Sequence, residues 1–171
     1  MKTLHSTTFE TLLGTMLAIA DENFLYLLEF TERKNLTKEL KNLQKNYAIV
    51  PGTTKITESI KQEIKGYFAG KLQQFKTPIK VSGTPFQEKT WQALAKIPFG
   101  STQSYAQQAI SMHKPKACRA VAKANSTNQL VIIIPCHRII NKSGKLGGYA
   151  AGLARKQWLL EHEKQVAMRS I

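Results

Sequence analysis

Apolar positions follow two different rhythms along the chain. The segments TMLAIA at 15–20 and FLYLLEF at 24–30 are short and rich in strand-favouring residues. Asp21-Glu22-Asn23 between them supplies turn chemistry, so an antiparallel hairpin is predicted. The period then lengthens. Residues 37 to 46 read as a helix with Thr37 as N-cap. Ile56, Ile60, Ile64 and Phe68 recur every four positions, an amphipathic helix stopped by Gly70. A last short strand is expected at TPIKV, 77–81. Residues 1–81 thus predict a supporting α/β domain, an antiparallel sheet with helices.

A boundary is expected at Ser82, where SGTPF combines a glycine, a candidate N-cap in Thr84 and a proline suited to a first helical turn. A helix should run from there to about Lys96. After a PFG turn come STQSYAQQAISM and KPKACRAVAKAN, which read as a helix-turn-helix pair with Pro115 opening the second helix. The apolar run from Leu130 to Pro135 reads as a buried strand, and a Gly-rich segment and a final helix, LARKQWLLEHEKQ, follow. Residues 82–171 therefore predict a mostly α, winged helix-turn-helix domain.

Charge narrows the partner. Lys and Arg number 25 against 11 Asp and Glu, a formal net charge of +14, which points to a polyanion and to nucleic acid first. No apolar run approaches the roughly 20 residues of a membrane-spanning helix. The start, MKTLHSTTFETLLG, lacks the apolar core of a signal peptide, so a cytoplasmic protein with no membrane partner is expected. Cys118 and Cys136 make neither a disulfide framework nor a zinc ligand set, and no metal or other cofactor is expected.

Two stretches carry candidate chemistry. In the second helix of the pair, Ala117, Ala120, Val121 and Ala124 fall on one face that can pack inward. The helix is nearly all alanine, where a major-groove reader would carry Asn, Gln, Arg or Ser. Small side chains let its backbone approach a shallow surface, and the one long residue, Arg119, can enter a base stack. On this helix alone, an ordinary alanine-rich core helix with a solvated Arg is the better reading. The second stretch is VIIIPCHRII at 131–140. A free thiol of ordinary pKa is mostly protonated at neutral pH and needs a neighbouring base. Adjacent strand residues point to opposite faces, but Pro135 breaks strand geometry, so Cys136 and His137 can face one pocket. Glu161 or Glu163 in the last helix could orient the imidazole. A small buried Cys beside a hydrogen-bonded His is the bland reading of the same residues.

Together, SYAQQA, RAVAKAN, IPCHRII and GGYAAGLARKQWLLEHE resemble, in order and spacing, the O6-alkylguanine-DNA alkyltransferases, also called methylated-DNA-protein-cysteine methyltransferases. The resemblance covers essentially the whole chain and is strongest from Ser82 to Glu163. It implies that Cys136 accepts an alkyl group, with His137 acting through a water as base and Glu163 as orienter. It implies that Asn128 ties the turns of the site and that Tyr105 crowds a phosphate and protonates the departing guanine. Arg119 resembles the finger that replaces the flipped nucleotide, with Ala120, Ala122 and Lys123 on a helix in the minor groove. Gly148, Tyr149, Ala150 and Ala151 resemble the guanine-holding loop. The implied function is suicidal, single-turnover repair of O6-alkylguanine, and of O4-alkylthymine, by a monomer acting on double-stranded DNA.

The chain departs from the pattern at Lys123 and Ala150, where relatives have small residues or serine, and at Gln129, where proline is common. There is no N-terminal cysteine cluster of the adaptive-response type. A lesion binder without transfer would lack the cysteine. A helix-turn-helix regulator would carry more base-reading side chains, and a cysteine hydrolase would need an oxyanion hole of which the sequence gives no sign.

Overall fold

The predicted hairpin forms between β2 (Gly14–Ala20) and β3 (Leu25–Phe30), antiparallel in register from Met16 opposite Phe30 to Ala20 opposite Leu25. Asp21 closes it, its Oδ1 accepting the Asn23 and Phe24 backbone N–H groups, each at 2.7 Å. Two strands were not legible in the apolar pattern. β1 (Lys2–Thr11), largely exposed or half-buried, runs antiparallel to β2, and β4 (Tyr47–Pro51) runs parallel to β1. The order is β3-β2-β1-β4, an antiparallel-dominated sheet with one parallel edge. TPIKV supplies only a bridge between Ile79 and Leu25, flanked by Leu25 N–H to Pro78 O at 2.8 Å and Lys80 N–H to Leu25 O at 2.9 Å.

Helix α1 (Leu36–Gln44) sets Leu36, Leu40 and Leu43 against Leu4, Ile19, Tyr26 and Leu27. Its N-cap is Asn35 and not Thr37, because the turn before it, Leu36 N–H to Arg33 O, already has helical sense. Helix α2 (Lys55–Phe68) starts with a Thr54–Thr57 capping box and buries Ile56, Ile60 and Ile64. Tyr67, fully buried, completes that stripe in place of Phe68. A charged cluster is buried in this unit. Arg33 pairs with Glu29 on β3 and, at 3.2 Å, with Glu39 on α1, all three buried. Burial pushes the Glu39 carboxyl up to about 7 against the pull of Arg33.

The computed structural model describes residues 1–169. The chain divides into two compact units, Met1–Val81 and Ser82–Ile171. The second opens with α3 (Pro85–Ala95), capped by Thr84 with Gln87 reaching back, and continues through β5 (Gln103–Ser104), α4 (Tyr105–Ser111) and α5 (Cys118–Ser126). β5 pairs in parallel with β6 (Ile139–Ile140), and α6 (Leu153–Arg169) closes the unit. This is the winged helix-turn-helix arrangement, with two corrections. The second helix starts at Cys118, because Pro115 and Lys116 lie in the turn closed by Ala117 N–H to Lys114 O at 2.9 Å. Its buried face is Val121, Ala124 and Asn125, with Ala120 exposed. The face is turned because Asn125 and Gln108 exchange two amide hydrogen bonds of 2.8 Å, and Trp91 Nε1 donates to Ala124 O at 3.0 Å.

The apolar run at 130–135 is a buried turn and not a strand. Ile133 N–H reaches Val131 O at 2.8 Å, Ile134 N–H reaches Leu130 O at 2.9 Å, and Val131 bridges Ile134. Ile132 sits at φ 73, left-handed backbone that a β-branched residue resists at a cost of about 1–3 kcal/mol. Complete burial of Leu130 to Ile134 apart from half-buried Ile133 explains their apolar character without a strand. Among the described residues no helix is long and apolar enough to cross a membrane.

Candidate active site

The turn at 130–135 delivers Cys136 as the first residue of a 3-10 turn, Cys136–Arg138, entered through Pro135 at ψ 64. Cys136 is half-buried while His137 and Arg138 are buried. The backbone before Pro135 is already a turn, so Pro135 ends no strand; it opens the 3-10 turn that carries the cysteine. Asn128, buried at the end of the segment after α5, holds the turn at three points. Its Oδ1 accepts Leu130 N–H at 2.9 Å, and its Nδ2 donates to Ile134 O at 2.8 Å and to Cys136 Sγ at 3.3 Å. An N–H donor aimed at sulfur favours the thiolate.

Of the two candidate carboxylates, Glu163 meets the histidine. His137 Nε2 lies 2.6 Å from Glu163 Oε2, with both residues almost wholly buried, while Glu161 only accepts from the exposed Gln165. Arg138 Nε donates to Glu163 Oε1 at 2.8 Å and its Nη2 to Oε2 at 3.1 Å, and Gly100 N–H adds a bond of 3.2 Å. Gly100 has φ 79, and a Cβ there would come within 2.8 Å of Ala167 Cβ, so close approach requires the glycine. Burial alone would raise the Glu163 carboxyl, but the hydrogen bonds and charges of His137 and Arg138 outweigh it and hold the carboxyl well below its usual range. Burial lowers the His137 imidazole, with Glu163 opposing and Arg138 and Lys156 reinforcing. A neutral ring beside an ionised carboxylate must donate from Nε2. The lone pair then resides on buried Nδ1, which has no protein hydrogen-bond partner among the described residues.

Tyr105 begins α4, whose N-terminus is capped by Ser104 in a box with Gln107. Its phenol lies against the Gly-rich segment, since a Cβ on Gly147 would stand 3.1 Å from Tyr105 Oη. Burial raises the phenol, a Gly148 backbone hydrogen bond opposes this, and the Cys136 charge adds to the rise. It therefore keeps its proton at neutral pH. Along the same segment Gly148 and Ala150 are exposed, Tyr149 is half-buried and Ala151 is buried. Arg119, Ala120 and Lys123 are exposed and Ala122 half-buried on α5, whose N-cap residue Ala117 makes no side-chain cap.

Lys156 was not singled out by the sequence. It is fully buried on α6, and its Nζ donates to Ile139 O, just past the cysteine turn, and to Gly148 O at 3.0 Å. One ammonium therefore joins the backbone after Cys136 to the glycine loop. Burial pulls it down to about 8, against an upward pull from Cys136. An LARKQW segment gives no cue of this, because a helical lysine is normally solvated. Arg138 was equally silent in sequence. Its Nη1 donates to Ile97 O at 2.7 Å and its guanidinium stands 5.7 Å from the Phe99 ring centre.

Comparison with known proteins follows the same lines. The sequence model described as 6-O-methylguanine DNA methyltransferase, DNA binding domain, matches residues 85–165. The chain is 39% identical over 156 residues to the methylated-DNA–protein-cysteine methyltransferase of Salmonella typhimurium, covering 88% of this chain and 90% of that one. A protein of that name from Methanosarcina barkeri is 48% identical over 103 residues, 60% of this chain and 65% of its own length. The crystal structure of Mycobacterium tuberculosis OGT in complex with DNA matches with a TM-score of 0.83 and 36% identity, over 95% of this chain and 94% of that one. With a cysteine-histidine-glutamate cluster on a helix-turn-helix unit and relatives of this kind over nearly the whole length, the chain belongs to the methylated-DNA–protein-cysteine methyltransferase family.

Proposed function

We propose that this chain repairs O6-alkylguanine in double-stranded DNA, and O4-alkylthymine with it, by moving the alkyl group to Cys136 once per molecule. The observation that carries the reading is the buried Glu163–His137 pair, set directly after a cysteine whose sulfur receives the Asn128 amide. The names of the relatives and the DNA-bound M. tuberculosis structure support it. A cytoplasmic monomer with access to the chromosome goes with this reading.

DNA would meet the Ser82–Ile171 unit, which holds 13 Lys and Arg against three acidic residues. The uncapped N-terminus of α5 offers N–H groups to phosphate. Ala120 and Ala122 keep the helix slim enough for the minor groove, Lys123 reaches a phosphate, and Arg119 fills the stack vacated by the flipped nucleotide. The extruded base lies along Gly148 to Ala151 beside Tyr149, in a loop whose backbone Lys156 fixes relative to the cysteine.

In the transfer, neutral His137 takes the thiol proton at Nδ1 through a water, and Glu163 stabilises the resulting imidazolium. The sulfur attacks the alkyl carbon in line with its bond to O6. An S–C bond forms, the C–O6 bond breaks with its electron pair going to guanine, and Tyr105 supplies the proton that guanine needs to leave neutral. The product is a thioether. Mass spectrometry of intact protein and peptides, after incubation with duplex containing O6-methylguanine, tests this. One methylene of added mass on the peptide holding Cys136, stopping at one equivalent, is expected. Product formation that continues linearly past one equivalent refutes the acceptor role.

A further inference from the structure

The Met1–Val81 unit carries a charge pattern that transfer does not use. Lys34, Lys38, Lys41 and Lys45 are spaced i, i+4, i+7 and i+11, which places them on one side of α1 and its flanking turns. All four are exposed. Among the described residues none of them forms an ion pair or a side-chain hydrogen bond. The one acidic residue of α1, Glu39, is buried against Arg33 and cannot neutralise them.

Helix stability does not account for the stripe. Like charges three and four apart repel, and Lys34 and Lys38 sit at the end of α1 where the macrodipole already carries positive charge. Helix α2 shows the ordinary alternative, since its Lys55, Lys61 and Lys65 are interspersed with exposed Glu58 and half-buried Glu63. At 1.5 Å per residue the stripe extends about 16 Å, long enough to follow roughly five phosphates of one strand. Four exposed lysines at helical spacing along one side suit a regular polyanion and not a shaped ligand.

We propose that this face of α1 is a second DNA-binding surface, which holds the phosphate backbone of duplex DNA without reading its sequence. It rests on the proposed function only in taking DNA as the polyanion. The test titrates the full chain onto undamaged duplex at several salt concentrations, comparing wild type with the triple variant K38Q/K41Q/K45Q. Transfer from free O6-benzylguanine, which needs no DNA, reports whether the variant is folded. The slope of log K against log salt should become shallower by about two to three, at close to 0.9 for each phosphate no longer neutralised. The free-base rate should be unchanged. K38R/K41R/K45R should restore the slope, and K61Q/K65Q/K71Q on and after α2 should leave it as in wild type.

A wild-type slope in K38Q/K41Q/K45Q overturns the proposal and leaves alkyl transfer standing. An equal loss in K61Q/K65Q/K71Q also overturns it, by showing that net charge and not the stripe matters. Wild-type protein that neither binds duplex nor accepts an alkyl group removes both readings together.

Discussion

Replacing Lys156 by Met separates stability from function in a way that tests the site's construction. Methionine keeps the length and apolar stem but removes the ammonium that joins Ile139 O to Gly148 O. Two opposing energies follow. In the folded protein the lysine titrates near 8, against its ordinary 10.5, so holding it charged at pH 7 costs roughly 3 kcal/mol, which the variant no longer bears. Against this, two carbonyls lose a buried donor, at about 1–3 kcal/mol each. The difference is small. Lys156→Met should lower unfolding free energy by only about 1 kcal/mol at pH 7.

The sign with pH is fixed as well. Between the folded and unfolded values the unfolded chain binds more protons, so the wild type's lysine cost is full below about 8 and fades as pH rises towards 10.5. From pH 7 to 9 wild type should gain about 1 kcal/mol relative to the variant. Transfer should respond differently. With the loop no longer tied to the cysteine turn, a shift of about an ångström is enough to slow single-turnover transfer by roughly tenfold to a hundredfold. Urea unfolding at the two pH values and single-turnover rates on the free base supply both readings. A variant that transfers at the wild-type rate, or whose stability tracks wild type from pH 7 to 9, refutes the account of Lys156.

Other substitutions probe separate parts. Cys136→Ser should abolish transfer while duplex affinity, which comes from phosphate contacts, persists, and Cys118→Ala should transfer normally; the reverse pattern in peptide mass spectra would move the acceptor to Cys118. Arg119→Ala should slow repair in duplex about tenfold or more beyond any effect on the free base, because only duplex repair requires extrusion, and equal losses would refute the finger role. Tyr105→Phe keeps the ring but removes the proton, so single-turnover rates should fall roughly tenfold to a hundredfold, and unchanged rates across pH would exclude it as the acid. Glu39→Gln should flatten the pH dependence of stability. The Glu39 carboxyl, raised to about 7, binds a proton in the folded state that the unfolded chain has released, so wild type loses up to roughly 3 kcal/mol as pH rises from 4.5 through 7, and urea melts that show no such difference count against the buried-cluster account.

Sequence pattern revealed the parts whose signal is local. The period-four isoleucines of α2, the Thr84 cap with Pro85, and the turn chemistry of Asp21 are each written in a few adjacent residues, and each is found in the fold. β1 escaped notice because its pairing with β2 and β4 supplies order that its mixed polar sequence does not announce. The Leu130–Ile134 run misled for the opposite reason. Its apolar residues record burial, and burial alone does not distinguish a strand from a turn held together by Asn128. In the site, Cys136 and His137 were legible from their adjacency, whereas the choice of Glu163 over Glu161 depended on which face α6 turns inward. Lys156 and Arg138 were invisible, because a charged residue shows its burial only through partners distant in sequence.

The site also explains its own economy. Glu163 accepts from His137, from two nitrogens of Arg138 and from Gly100 N–H, so its carboxylate stays ionised and its position is fixed before any substrate arrives. Asn128 and the left-handed Ile132 fix the cysteine turn in the same way, one by hydrogen bonds and the other by a strained backbone that surrounding packing sustains. In the proposed reaction such preorganisation would lower the barrier to one displacement, since donors and base need not move as charge develops. It does nothing to expel a thioether, because a thiolate is a poor leaving group from an unactivated alkyl carbon and neither water nor His137 displaces it readily. On the proposed reading, a rigid mount, a soft nucleophile and a base that acts once are sufficient for stoichiometric repair.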